Sequence, residues 1–202
     1  MVSMMGRPRE HDERTAAALL AAGERAVAEG GLEALSVRGV ATEVATTTRA
    51  VYSLFGSRDG LIAALGAHTY DLLRADLERL PLTADPQADM VDAGLMFRRF
   101  ALEHPALFSI GIQRTLTGSQ LWPRFRAAAG DALTVLSRRV ARLQDRQLLG
   151  GRTVADATIQ FHALCEGLAA LELRGALRGN DTERIWRDAF TALIAGFALT
   201  PR

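Results

Sequence analysis

Residues 36–56, SVRGVATEVATTTRAVYSLFG, read as two short helices joined by a tight turn. Ser36 supplies the side-chain oxygen that a helix N-cap needs, and the helix it opens runs to about Val44, burying Val37, Val40 and Ala41. Thr46 or Thr47 caps a following helix that runs to about Leu54. Ala41 and Ala45 are small enough for the two helices to meet, and Val40, Val44, Val51 and Phe55 make the little core that fixes their angle. The second helix then presents an outward face of Thr47, Thr48, Arg49, Tyr52 and Ser53. A helix pair of this kind is the unit that puts side chains into the major groove of DNA.

Chemistry assigns roles on that face. Arg49 can donate two hydrogen bonds to guanine O6 and N7, and Thr48 can touch a base edge or a thymine methyl. Thr47, Tyr52 and Ser53 suit phosphates and would set the register; Thr46, in the turn, belongs to the same set. Ser36 and Arg38 stand where the first helix of the pair would cross the backbone. Arg58, at the start of the next helix, adds a cation beside backbone N–H groups that favour anions. The GRPRE run brings Arg7 and Arg9 into an N-terminal arm, residues 1–11, of the kind that reaches phosphates or a minor groove. Each feature also has a plainer reading: a threonine-rich helix start is a cap, Tyr52 is packing, and the arm is only a chain end.

The rest of the chain is helical in pattern. Apolar residues recur at helical spacing nearly throughout its 202 residues, and no alternating β-branched run appears. A first helix is expected from about Asp12 to a Gly30-Gly31 stop, and a fourth from a Ser57 cap to about Leu80. Leu80-Pro81 and Asp85-Pro86 bracket a break. Helices follow over about Pro86–Glu103, from Pro105, over about Leu121–Leu149, over Thr153 to about Leu177, and from a Thr182 cap to near Leu199, with a loop at Thr117-Gly118-Ser119. The expected architecture is all-α, about nine helices: a three-helix head over residues 1–58 and a helical body over 59–202.

Composition narrows the classes. Residues 1–60 hold seven Arg against eight acidic residues, so bulk charge does not announce a nucleic-acid partner and the placement of the arginines must carry that argument. There is no Lys, so any phosphate contact uses Arg, often as a two-pronged donor. The longest apolar run, residues 192–199, is too short for a bilayer, and no signal peptide is visible. The single cysteine, Cys165, fits a reducing cytoplasm. The histidines at 11, 68, 104 and 162 lack metal-ligand spacing, no phosphate-cradling glycine motif occurs, and no cofactor is expected.

Residues of about 14–66 resemble the N-terminal domain of the TetR-type (tetracycline-repressor-like) transcriptional regulators. The carrying residues are Leu19-Leu20, the run AEGGLEALSV at 28–37, Val40-Ala41, Val44 to Thr47, Ala50-Val51-Tyr52, Phe55 and Ser57 to Leu61. The resemblance implies an all-helical homodimer with a helix-turn-helix head on a near-palindromic operator and a ligand-sensing body. It also implies, most often, a repressor that an inducer releases. Departures bear on which DNA sequence is read: Ala45 stands where the family often has Gly, Thr46-Thr47 where Val-Ser is frequent, Thr48 where Lys is frequent, and Leu54 where a polar residue is usual. Val27 replaces a common Phe. In the body, LEHPALFSI at 102–110 and ALCEGLAALEL at 163–173 are similar to sensor domains marked by a Trp-His-Gly motif, here Cys165-Glu166-Gly167.

The apolar stripes of the last two helices, Phe161, Leu164, Leu168 and Leu171, then Ile185, Ala189, Leu193 and Phe197, would make a four-helix dimer interface, with Gly167 and Gly175 allowing close approach. A pocket for a small hydrophobic effector is expected among His68, Tyr70, Phe97, Phe100, Phe108, Trp122, Phe125, His162 and Glu166. Two other readings stay open. One is a helical protein–protein scaffold. The other is a Cys-dependent enzyme built on His162 and Cys165, although these lie one helical turn apart within an apolar stripe.

Overall fold

The computed structural model describes residues 7–113, 122–179 and 181–199, with the side chains of residues 7–11, 113 and 122 excepted. The protein is all-α, with helices α1 (Arg7–Ala34), α2 (Val37–Glu43), α3 (Thr48–Phe55), α4 (Arg58–Arg79), α5 (Pro86–Glu103), α6 (Pro105–Phe108), α7 (Trp122–Asp145), α8 (Val154–Leu173) and α9 (Thr182–Phe197). A π-helical turn, Ser109–Gln113, continues α6. The expected loop at 117–119 and the first part of the expected arm, residues 1–6, lie outside the described residues. The remainder of that arm, from Arg7, is the start of α1.

Most helix starts are local chemistry. Ser36, Thr47 and Ser57 each accept a backbone N–H three residues ahead, at 3.0, 3.2 and 2.9 Å, and so cap α2, α3 and α4. Asp85 caps α5 ahead of Pro86, and Thr153 caps α8. The ninth helix departs from expectation: Asp181 accepts from the Arg184 amide, so the cap lies one residue before Thr182. Gly30 and Gly31 leave helical geometry (φ −136° and +69°), so α1 bends there before its last turn.

The chain folds as two compact units. The first holds the described residues through Thr69 together with those of 106–128; it therefore extends past residue 58, the expected end of the head. The reason lies in its packing. Leu61 and Leu65 of α4 are fully buried with Leu19, Leu35 and Val51, and the Thr69 hydroxyl donates to the Leu65 and Leu107 carbonyls.

The second unit holds Tyr70–Pro105 and the described residues from Ala129 onward. Here α5 packs against both α8 and α9, around Phe161, Trp186, Phe190 and Phe197, each no more than 1% exposed. Phe190 stacks on Phe161 at 4.7 Å and on Trp186 at 5.8 Å between ring centres. Close approach of α5 and α9 depends on Gly94, where a Cβ would lie 2.2 Å from the Phe190 ring. By contrast, a Cβ on Gly167 would meet open space, and Gly175 (φ +75°) lies in the turn after α8, so neither glycine serves helix approach within this chain. Charged groups tie the bundle. Arg98 grips Glu172 with two N–H groups, and Glu172 also accepts from the Trp186 indole at 2.8 Å. Arg139, 5% exposed, donates to the carbonyls of Leu77 and Leu80 beyond the last turns of α4, both at 2.6 Å.

Candidate nucleic-acid interface and ligand cavity

In the first unit, Val40 and Val51 are 1% exposed and Phe55 5%, so α2 and α3 share a sealed contact, with Val44 half-buried beside it. The turn between them is tight because Ala45 adopts the left-handed conformation (φ 54°), which L-residues with a Cβ rarely take. The Thr46 amide then bonds the Ala41 carbonyl at 2.9 Å. Gly60 serves a separate junction. A Cβ there would lie 1.7 Å from the Phe55 carbonyl oxygen, so only glycine lets α4 start directly behind α3.

This scaffold leaves one face of α3 in solvent. Thr47, Thr48, Arg49, Tyr52 and Ser53 are all exposed, with Thr46 half-buried in the turn. Tyr52 is 52% exposed, which removes its reading as core packing. Ser36 and Arg38, at the start of α2, are exposed as well. The oxygens of Ser36 and Thr47 accept cap bonds, which leaves each hydroxyl hydrogen to donate. Arg58 behaves differently from the rest. Its Nε donates to the Leu35 carbonyl at 2.8 Å and its Nη2 to the Leu32 carbonyl at 2.5 Å, so much of its guanidinium secures the end of α1. Arg25 pairs with Glu43 at 2.6 Å, which neutralises the one acidic residue on α2. The side chains of Arg7 and Arg9 lie outside the described set.

The second unit contains an apolar cavity of about 240 Å³. Its walls come from α4 (Tyr70, Leu73, Leu77), α5 (Ala93, Met96, Phe97), α7 (Ala129, Gly130, Ala132, Leu133, Leu136) and α8 (Phe161, His162, Cys165). Of the residues expected in a pocket, Tyr70, Phe97 and His162 line it. Glu166 stands behind His162, its Oε1 2.8 Å from the ring Nε2, and Phe100 is buried away from the cavity. His68, Phe108 and Phe125 belong to the first unit, and the Trp122 side chain is outside the described set. The wall contributed by α7 contains no aromatic residue, so an expectation built on aromatics passes over it. Its signal in the sequence is the run of small residues AAAGDA at 127–132, which leaves space where larger side chains would fill it.

Burial and the nearby Glu166 charge push the Tyr70 phenol up to about 12. Burial, with a lesser push from Glu166, also raises the Cys165 thiol well above its ordinary value, so near neutral pH it is a packed thiol with little nucleophilic character. Of the stripes on α8 and α9, Phe161, Leu168 and Phe197 are buried within the chain. Leu171 is exposed, and Leu164, Ile185, Ala189 and Leu193 are half-buried.

A sealed three-helix scaffold that holds up a polar recognition helix defines a helix-turn-helix DNA-binding protein. Residues 19–65 match the family described as bacterial regulatory proteins, tetR family, and residues 90–197 match the tetracyclin repressor-like C-terminal domain. The chain belongs to the TetR family of bacterial transcriptional regulators. An uncharacterized HTH-type transcriptional regulator of Mycobacterium tuberculosis is 26% identical over 171 residues, which span 82% of this chain and 73% of that protein. Among solved structures, a Rhodococcus protein of unknown function has the same fold with a TM-score of 0.80 at 22% identity, over 91% of this chain and 95% of its own. AibR, solved in complex with isovaleryl coenzyme A and operator DNA, gives a TM-score of 0.66 at 15% identity, over 92% and 99%.

Proposed function

We propose that the protein is a homodimeric repressor that leaves its operator when a small, mainly apolar molecule fills the cavity of the second unit. The observation that carries this is the course of α4. Tyr70, Leu73 and Leu77 line the cavity, while the first residue of the same unbroken helix, Arg58, is bonded to the end of α1 in the unit that holds α3. A ligand that shifts α4 has a covalent route to the DNA-binding helix, and coupling of this kind is worth about 1–3 kcal/mol.

On the DNA, Arg49 reads a base pair, Thr48 assists it, and Thr46, Thr47, Tyr52, Ser53, Ser36 and Arg38 hold the backbone, with Arg7 and Arg9 adding phosphate contacts. Arg58 serves chiefly to join α1 to α4. The accessible parts of α8 and α9, including Leu164, Leu171, Ile185, Ala189 and Leu193, meet their copies in the dimer, which sets two heads about one helical turn of DNA apart. The protein works where its DNA is, in the cytoplasm. No helix among the described residues is long and apolar enough to cross a membrane.

The test is a mobility-shift titration with DNA from upstream of the protein's own gene. The expected result is specific binding whose affinity falls steeply with salt. Arg49→Ala should relax sequence choice at one base pair, at a cost of about 1–3 kcal/mol. Equal affinity for random DNA at every salt concentration would sink the proposal in favour of a scaffold.

A further inference from the structure

We infer that the cavity takes a small lipophilic molecule bearing a hydrogen-bond donor, neutral or cationic, and rejects carboxylates and other anions. This rests on the role proposed above for the cavity and names its ligand class. Of the fourteen described lining residues, only Tyr70, His162 and Cys165 carry a side-chain N–H, O–H or S–H, and none is an arginine. An anion entering such a site gives up its hydration and finds no arginine among the described wall residues to replace it.

The polar end of the cavity leans the other way. Glu166 sits 2.8 Å from His162 Nε2, so in the neutral ring the hydrogen belongs on Nε2 and Nδ1 is left as an acceptor. The Glu166 carboxylate also acts on Tyr70, another polar wall residue. Phe97, set edge-on to His162 with ring centres 6.1 Å apart, and Phe161 supply aromatic surface that favours a cation. At about 240 Å³ the cavity lies below the range of about 300–1,000 Å³ usual for drug-sized ligands, which limits the occupant to one or two rings or a short chain. A coenzyme A thioester, large and polyanionic, falls outside this class.

The test uses full-length protein and three probes that share one ring system: 1-naphthylmethylamine, 1-naphthylmethanol and 1-naphthoate, titrated by calorimetry at neutral pH. The expected order is amine, then alcohol, then carboxylate, with the amine favoured over the carboxylate by about tenfold or more. Glu166→Gln should shrink that preference to about threefold or less by removing the charge. Ala132→Trp should block all three probes by filling the cavity. Equal or tighter binding of 1-naphthoate, an undiminished amine preference in Glu166→Gln, or no saturable binding of any probe would overturn the ligand class. Loss of specific DNA binding by the parent protein would instead overturn the regulator proposal, so the two failures are distinguishable.

Discussion

Gly94→Ala tests whether the second unit is packed as tightly as its geometry indicates. The added methyl would sit 2.2, 2.4 and 2.6 Å from three ring carbons of Phe190. Carbon–carbon contacts rest at about 3.5–4.0 Å, so at least ~1.3 Å must be found. The ring has no easy way out. Phe190 is fully buried, with the Phe161 and Trp186 rings packed near it, and the Trp186 indole is itself held by Glu172. Overpacking of this kind costs about 3 kcal/mol at the upper end of its usual range. Alanine is better than glycine inside a helix by about 1 kcal/mol, which leaves a net loss of about 2 kcal/mol. For a chain of this size that lowers the melting temperature by roughly 4–8 °C. Circular dichroism melts at one fixed protein concentration would read it. A double-mutant cycle sharpens the test, since Phe190→Leu should cost less in the Gly94→Ala background than in the parent. A Gly94→Ala protein as stable as the parent would refute the reasoning, because the ring would then have to yield freely. A second consequence follows from Phe161: a ring pushed by Phe190 encroaches on the cavity it lines, so probe affinity should fall in the same variant.

Tyr52→Phe removes the hydroxyl proposed to hold a phosphate and should weaken binding to all DNA sequences by about the same factor in mobility shifts; a change confined to one sequence would assign Tyr52 to base reading instead. Ala45→Gly relieves a left-handed conformation that costs about 1–2 kcal/mol and gives back part of the gain as unfolded-chain entropy, so the melting temperature should rise slightly and should not fall. Burial alone would raise the Asp89 carboxyl, but hydrogen bonds from Arg142 and Thr83 and the Arg142 charge outweigh it and hold the group below its ordinary value. Its contribution to stability is therefore present above the unfolded value of about 4 and is lost as pH falls through the folded one. Asp89→Asn should be less stable than the parent at pH 7, with the gap closing below about pH 4; a gap that stays constant in melts across that range would contradict the assignment.

What was legible in the sequence was what short-range chemistry decides. Ser36, Thr47 and Ser57 announce their helices because a cap needs only one oxygen and the next three residues. The α2–α3 pair was legible for a similar reason, since its core and its polar face alternate within 21 residues. Asp181 and Thr182 are both good caps, and nothing local chooses between them. The cavity was harder because its walls come from four helices and owe as much to absent side chains, at Ala129, Gly130 and Ala132, as to present ones. Arg58 looked like a DNA contact because a cation at a helix start invites an anion. Only the fold brings the Leu32 and Leu35 carbonyls to it. Gly94 carried no signal of its own, since its importance lies in Phe190, 96 positions further along the chain.

The two arginines that fasten α4 give the helix a mechanical character. Arg58 keys its first residue to the carbonyls of Leu32 and Leu35, and Arg139 keys its far end through the carbonyls of Leu77 and Leu80. Both ends of the helix are therefore held by hydrogen bonds and not left to fray. The Arg139 joint binds backbone carbonyls, which every residue possesses, so Tyr70, Leu73 and Leu77 can change with the ligand while that fastening stays the same. Recognition and transmission can therefore diverge independently along one helix.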